Sequence, residues 1–86
     1  MYRVVLSEKF EKELKKAIRQ DPKLWIKVTK TLKLLTKDIN YPSLHLHKLS
    51  GGDSHSVSVS KSYRIVINIQ DDVVFCVKFG THEDVY

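Results

Sequence analysis

The apolar positions change their period part-way along the chain. Tyr2 to Leu6 is a short β-prone run, and Ser7 followed by Glu8 and Phe10 starts a helix, the Ser hydroxyl being placed to accept from a free amide of the first turn. Phe10, Leu14, Ala17 and Ile18 then recur at helical spacing and lay one apolar stripe along a helix running to about Gln20. Asp21-Pro22 stops that helix and opens another, with Asp as its cap and Pro in its first turn, where a missing N–H costs nothing. Leu24, Val28, Leu32 and Leu35, widened by Trp25 and Leu34, predict the second helix over about Pro22 to Lys37, with Trp25 in the core or between the helices. The two helices are expected to form an antiparallel hairpin.

From Asp38 to Leu44 the pattern breaks, and Tyr41-Pro42 marks an extended turn. Beyond it the period becomes two. His45 to Leu49 alternates, Gly51-Gly52-Asp53 is a turn, Val57 and Val59 alternate with serines, Tyr63 to Ile69 alternates, and Gln70-Asp71-Asp72 turns into a strand over Val73 to Phe79. The expected fold class is α+β, in the order β-α-α-β-β-β with three or more antiparallel strands after the helices. The N-terminal strand and the helix hairpin pack on one face of a mainly antiparallel sheet, in a single domain spanning residues 1–86.

Strand parity sorts these residues onto two faces. Val57, Val59, Ile65, Ile67, Ile69, Phe75, Val77 and Phe79 are expected under the helices. Ser56, Ser58, Ser60, Arg64, Asn68 and Lys78 are expected on the other face, interleaved with Val66, Val74 and Cys76. A polar second face is what an antiparallel sheet shows to water. Arg64 and Lys78, however, lie on strands expected to be neighbours, which concentrates positive charge on a shallow surface.

Composition narrows the classes. With 86 residues there is no length for a separate cofactor domain, and 42% hydrophobic residues with 3 Gly and 2 Pro exclude a low-complexity chain. The lone Cys76, set in an apolar run, excludes a disulfide framework, fits a reducing compartment and reads as a small apolar side chain. No apolar stretch reaches the roughly 18 residues of a membrane span, and Met1 to Leu6 lacks a signal-peptide layout, so a cytoplasmic protein is expected. Net charge is +5, and it is uneven: residues 1–40 hold eleven basic and five acidic side chains, residues 41–86 four and five. Lys-rich helices of this kind either bind nucleic acid through phosphate contacts or are simply solvated.

Four segments, in this order and spacing, carry a resemblance that covers essentially the whole chain: His47-Lys48-Leu49-Ser50-Gly51, Ser62-Tyr63-Arg64-Ile65-Val66, Asp71-Asp72-Val73-Val74 and Gly80-Thr81-His82-Glu83-Asp84-Val85-Tyr86. With the strand-helix-helix beginning, the chain resembles the RelE/ParE superfamily of bacterial toxins, in particular the RelE and YafQ-like messenger-RNA endonucleases of type II toxin–antitoxin systems. The resemblance implies two helices against an antiparallel sheet. It implies that Arg64 contacts the scissile phosphate, that His82 is the catalytic His of the YafQ-like branch, and that Lys78 is a basic active-site position. It further implies that Tyr86 packs near the substrate base and that His47 opens the His-x-Leu-x-Gly segment. Ser58 and Ser62 stand where YafQ-like proteins have His and Asp. The implied partners are a cognate antitoxin and messenger RNA on the ribosome, with ribosomal RNA contacts through the Lys-rich helices; no cofactor, metal or membrane is implied.

The chemistry so implied is attack of a ribose 2′-hydroxyl on the adjacent phosphate, which needs a base, an acid and positive charge. Arg64 and Lys78 would hold the phosphate, His82 protonate the leaving 5′-oxygen and Tyr86 orient the base, with His47 a candidate for activating the 2′-hydroxyl. Arg64, Lys78, His82 and Tyr86 are expected to meet on the sheet face turned away from the helices. Simpler roles exist: Arg64 in an ion pair with Glu83 or Asp84, Lys78 as a solubilising residue, His82 as a turn cap, Tyr86 covering a sheet edge. His45 and His47 share a strand face but lack a third metal ligand, His55 is expected to be exposed, and the serines lack an activating base. Two other functions compete: a ParE-like toxin that inhibits DNA gyrase without cleaving RNA, and a catalytically degenerate RNA-binding member.

Overall fold

The structure, a computed structural model, describes residues 1–81 and residue 83. Strand β1 (Arg3–Leu6) leads into helices α1 (Glu8–Gln20) and α2 (Leu24–Lys37), a 3-10 turn at Pro42–Leu44, and strands β2 (His47–Lys48), β3 (Ser54–Ser58), β4 (Tyr63–Gln70) and β5 (Val73–Thr81). The expected three or more strands after the helices are thus four. They form one five-stranded sheet in the order β1-β5-β4-β3-β2. β2 to β5 pair antiparallel, and β1 joins the sheet as a parallel edge strand on β5, through Arg3↔Val73 to Leu6↔Cys76.

Ser7 caps α1 as its position predicts, its hydroxyl accepting from the Phe10 amide at 3.1 Å, and the same hydroxyl donates to the carbonyl of Val77 at 3.3 Å. The side chain thereby ties the helix start to β5. The entry to α2 differs from the expectation. Asp21 does not cap it with its carboxylate; the chain enters through tight i→i+3 bonds, Leu24 N–H to Asp21 C=O and Trp25 N–H to Pro22 C=O. The buried stripe of α2 is Leu24, Val28, Thr31 and Leu35. Trp25, expected in the core or between the helices, falls one position off that stripe and is 54% exposed, beside Ile26 at 71%. Thr31 can occupy the stripe because its hydroxyl donates to the Lys27 carbonyl at 2.9 Å, so no polar hydrogen is buried unpaired.

The core lies between the helices and the sheet. Phe10, Leu14 and Ala17 of α1 and Leu24, Val28 and Leu35 of α2 meet Val57, Ile65, Ile67, Val74, Cys76 and Phe79. Phe79 is held edge-on by Phe10 at 6.0 Å and stacked by Tyr63 at 5.3 Å. Burial pushes the Cys76 thiol up from 9.0 to about 12, as befits a small apolar core residue.

Simple parity fails in β5. Val66 pairs with Lys78 but Ile67 with Cys76, so Val77 is an extra residue and the alternation shifts by one across it. Val74 and Cys76, expected on the outer face, therefore lie opposite Ile69 and Ile67 and are fully buried under the helices. Phe75, expected inside, is half-buried opposite Asn68 on the other face. Beyond the bulge, Phe79 opposite Ile65 returns to the parity first expected. His55, expected to be exposed, is half-buried on the helix-side face opposite Ile67, with its Nδ1 out of contact with water and without a hydrogen-bond partner.

Candidate functional site

The register of the sheet builds a row of side chains on the face turned away from the helices. His47 on β2 pairs with Ser56 on β3, Ser56 with Val66 on β4, and Val66 with Lys78 on β5. Directly paired residues share a face. One pleat along β4 sits Arg64, paired with Ser58 on one side and Gly80 on the other. Arg64 is thus the diagonal neighbour of both Ser56 and Lys78, about 7 to 8 Å away across each strand. His47 and Lys78 stand three strand spacings apart, about 14 Å. The sheet brings Arg64 and Lys78 together and sets His47 at the far end of the row, exposed on the short β2.

Neighbouring residues of β4 explain why Arg64 faces outward. Tyr63 is drawn inward by its stacking on Phe79, so the next residue along the strand must project from the opposite face. The turn before it is set by hydroxyls: Ser60 accepts from the amides of Ser62 and Tyr63, both at 3.2 Å, and Ser58 donates to the Ser60 carbonyl at 3.2 Å. Ser58 and Ser62, expected from the resemblance to mark departures within the site, are built into this turn.

Arg64 is fastened. Its Nε donates to the Ser56 hydroxyl at 3.0 Å and its Nη2 donates to the backbone carbonyl of His45 at 3.0 Å. Ser56 is 0% exposed, and Val66 beside it is 7% exposed, so this part of the outer face is packed rather than washed by water. His45 closes the 3-10 turn in the left-handed region, with φ 46° and ψ 53°. Leu44 just before it is buried in the core and holds the turn in place. A non-glycine residue in that region is strained, and here the strain accompanies a carbonyl aimed at a guanidinium. The guanidinium reaches towards β3 and the 3-10 turn.

Parity placed Ser56 on the face of Arg64 but gave it no role beyond solvent exposure. The signal that assigns one is its diagonal relation to an arginine on the next strand. Nothing in the residue type of His45 points to its backbone carbonyl. His82 and Tyr86, the two other site residues expected from the resemblance, lie outside the described residues. Among the described residues no cluster of His, Cys, Asp or Glu could hold a metal ion, and no helix is long and apolar enough to cross a membrane.

No protein-family model matches the chain, and no curated protein matches it in sequence. Solved structures do match it along its whole length. The toxin YafQ in the Escherichia coli DinJ–YafQ complex superposes with a TM-score of 0.83 at 20% identity, over 100% of this chain and 99% of that one. A metal-bound toxin from Helicobacter pylori gives 0.73 at 28% identity, covering 100% of both chains. The Staphylococcus aureus YoeB–YefM complex gives 0.75 at 15% identity, over 95% of this chain and 98% of that one. The fold is that of the RelE-like toxins. With it, the sheet topology read from the residues and the architecture implied by the resemblance coincide.

Proposed function

We propose that the chain is the toxin of a type II toxin–antitoxin system, a ribosome-dependent endoribonuclease that cleaves messenger RNA and so stops translation. The observation that carries this reading is Arg64, fastened at two points on the sheet face away from the helices with Lys78 as its diagonal neighbour. The likeness to toxins solved alone and with their antitoxins supports it. Residues 1–86 act as one toxin domain in the cytoplasm, where a buried thiol and no disulfide are at home. A cognate antitoxin neutralises the toxin, and the lysines of α1 and α2 contact ribosomal RNA through its phosphates.

In this mechanism Arg64 offers a planar fork to the phosphate oxygens and Lys78 adds a point charge, stabilising the extra negative charge that develops as five oxygens gather round phosphorus. The ribose 2′-oxygen attacks the adjacent phosphorus and gives up its proton, with His47 the candidate acceptor. The bond from phosphorus to the 5′-oxygen breaks, His82 protonates that oxygen, and a 2′,3′-cyclic phosphate remains. No metal ion is called for. Tyr86 stacks on an unpaired base and fixes the cleavage point.

The test is primer extension on ribosome-bound messages after expression of the wild type, Arg64→Ala and His82→Ala. Losing a positioned acid or a phosphate-holding group is expected to slow cleavage by about 10² to 10⁴. Unchanged cleavage by both variants would remove the assignment. Growth arrest with intact messages and inhibited DNA gyrase would instead support the ParE-like reading.

A further inference from the structure

The side of α2 turned away from the core takes no part in the sheet face that carries Arg64. Opposite the buried stripe the helix presents Ile26, Lys30, Lys33 and Lys37, with Trp25 and Thr29 along one edge. Trp25 is 54% exposed and Ile26 71%. The Thr29 hydroxyl donates to the Trp25 carbonyl at 2.8 Å, so it is turned back onto its own helix. Trp25, Ile26, Thr29, Lys30 and Lys33 line one shallow depression whose charged groups are all ammonium. A half-bare indole beside a bare isoleucine gains from being covered.

Charge identifies what covers it. From Pro22 to Lys37 the chain holds five lysines, Lys23, Lys27, Lys30, Lys33 and Lys37, and no acidic residue. A second copy of the chain would set like charge against like, so the occupant is an anion. An acidic helix needs apolar contacts repeated at i, i+3, i+4 and i+7 along the surface it fills, and on this side of α2 the exposed large apolar side chains end at Ile26. A single ring at the start of a row of lysines fits instead one unpaired base stacked on the indole, with phosphates following along the helix. We propose that Trp25 is a stacking platform for an unpaired base of ribosomal RNA, with Lys30 and Lys33 on the flanking phosphates. Arg64 stands on the opposite face of the sheet, so the base on Trp25 is not the one held for cutting. The proposal rests on the reading that the toxin acts on the ribosome. It adds to the phosphate contacts of the lysines a contact that distinguishes unpaired RNA from a duplex, whose bases are already stacked on one another.

Trp25 is the only tryptophan of the chain, so its emission reports on this surface alone. A short single-stranded RNA oligonucleotide titrated into the full chain should quench that emission, whereas an RNA duplex and polyglutamate of equal charge should leave it unchanged. Sedimentation with ribosomes free of message should weaken about tenfold in Trp25→Ala and recover in Trp25→Phe, which keeps a flat ring. The melting temperature of both variants should stay within a few degrees of the wild type, because the ring is half exposed. Replacing Lys30 and Lys33 together by Ala should make the dependence of log affinity on log salt shallower by about 1.4, two phosphate contacts at about 0.7 each. Quenching by polyglutamate would make this a surface for an acidic protein, and quenching by the duplex would make it a contact of charge alone; either ends the proposal. So does a single strand that fails to quench, an unchanged salt slope, or a Trp25→Ala variant that sediments like the wild type. The nuclease reading is tested separately. Trp25-dependent sedimentation by a wild type that cuts no message leaves the platform standing and removes that reading, whereas cleavage of ribosome-bound messages with sedimentation indifferent to Trp25→Ala removes the platform alone. A wild type that does not sediment with ribosomes at all removes both.

Discussion

The two faces of the sheet are held by different physics. On the helix side, Ile65, Ile67, Val74 and Cys76 are sealed by side chains that supply area and volume but little direction. On the outer face, Arg64 is joined to the Ser56 hydroxyl and to the His45 carbonyl by directional hydrogen bonds of 3.0 Å each, next to a nearly buried valine. Apolar packing tolerates a change of partner as long as volume is kept, whereas a hydrogen-bonded grip fails when one oxygen is lost. The inner face therefore sets how stable the protein is, and the outer face sets where one cation stands.

That contrast can be broken from either side. Ile65→Ala removes a fully buried side chain and is expected to cost about 2 to 5 kcal/mol in denaturant unfolding, with Arg64 Nε exchange in the surviving folded fraction little changed. Loss of the Arg64 signal at equal occupancy would show that the faces are not separable. Alkali offers a milder probe of the inner face. Because the Cys76 thiol titrates at about 12 when folded and 9.0 otherwise, the unfolded chain loses that proton first. Stability should thus be fully present below pH 9 and fall by about 1.4 kcal/mol per pH unit above it, up to about pH 12, and Cys76→Ala should flatten that slope. An equal slope in both proteins would place the thiol elsewhere. The smallest effect belongs to Ser7→Ala, which removes the cap of α1 and a bond to the bulge in β5, costing about 1 kcal/mol by thermal melting.

Much of this fold was legible because its elements obey one period at a time. Phe10, Leu14 and Ala17 mark α1 without ambiguity, and Tyr63 to Ile69 alternates cleanly as β4. Where reading failed, a competing rule had taken over. Trp25 was drawn into the α2 stripe by its hydrophobicity, yet Thr31 holds the buried position, since a hydroxyl satisfied within its own helix can sit in a core. Val74, Cys76 and Phe75 were assigned to the wrong faces because β5 contains one residue more than strict alternation allows, and no residue type announces a bulge made without glycine. The site was legible in part for a related reason. Parity alone aligns Arg64 with Lys78 and Ser56, but whether a serine on a polar face is solvated or is the buried half of a grip depends on the turn at Pro42–Leu44 folding over that edge.

The extra residue in β5 has a consequence for what changes in chain length the strand can absorb. Deleting Val77 would restore an unbroken rhythm in which Cys76 stays opposite Ile67 and Lys78 opposite Val66, so Val74 and Cys76 would remain beneath the helices and Lys78 outside, whereas one further residue inserted or removed in either half would turn that half over. The strand thus carries a single codon that neither its greasy half nor its working half needs in order to keep its face.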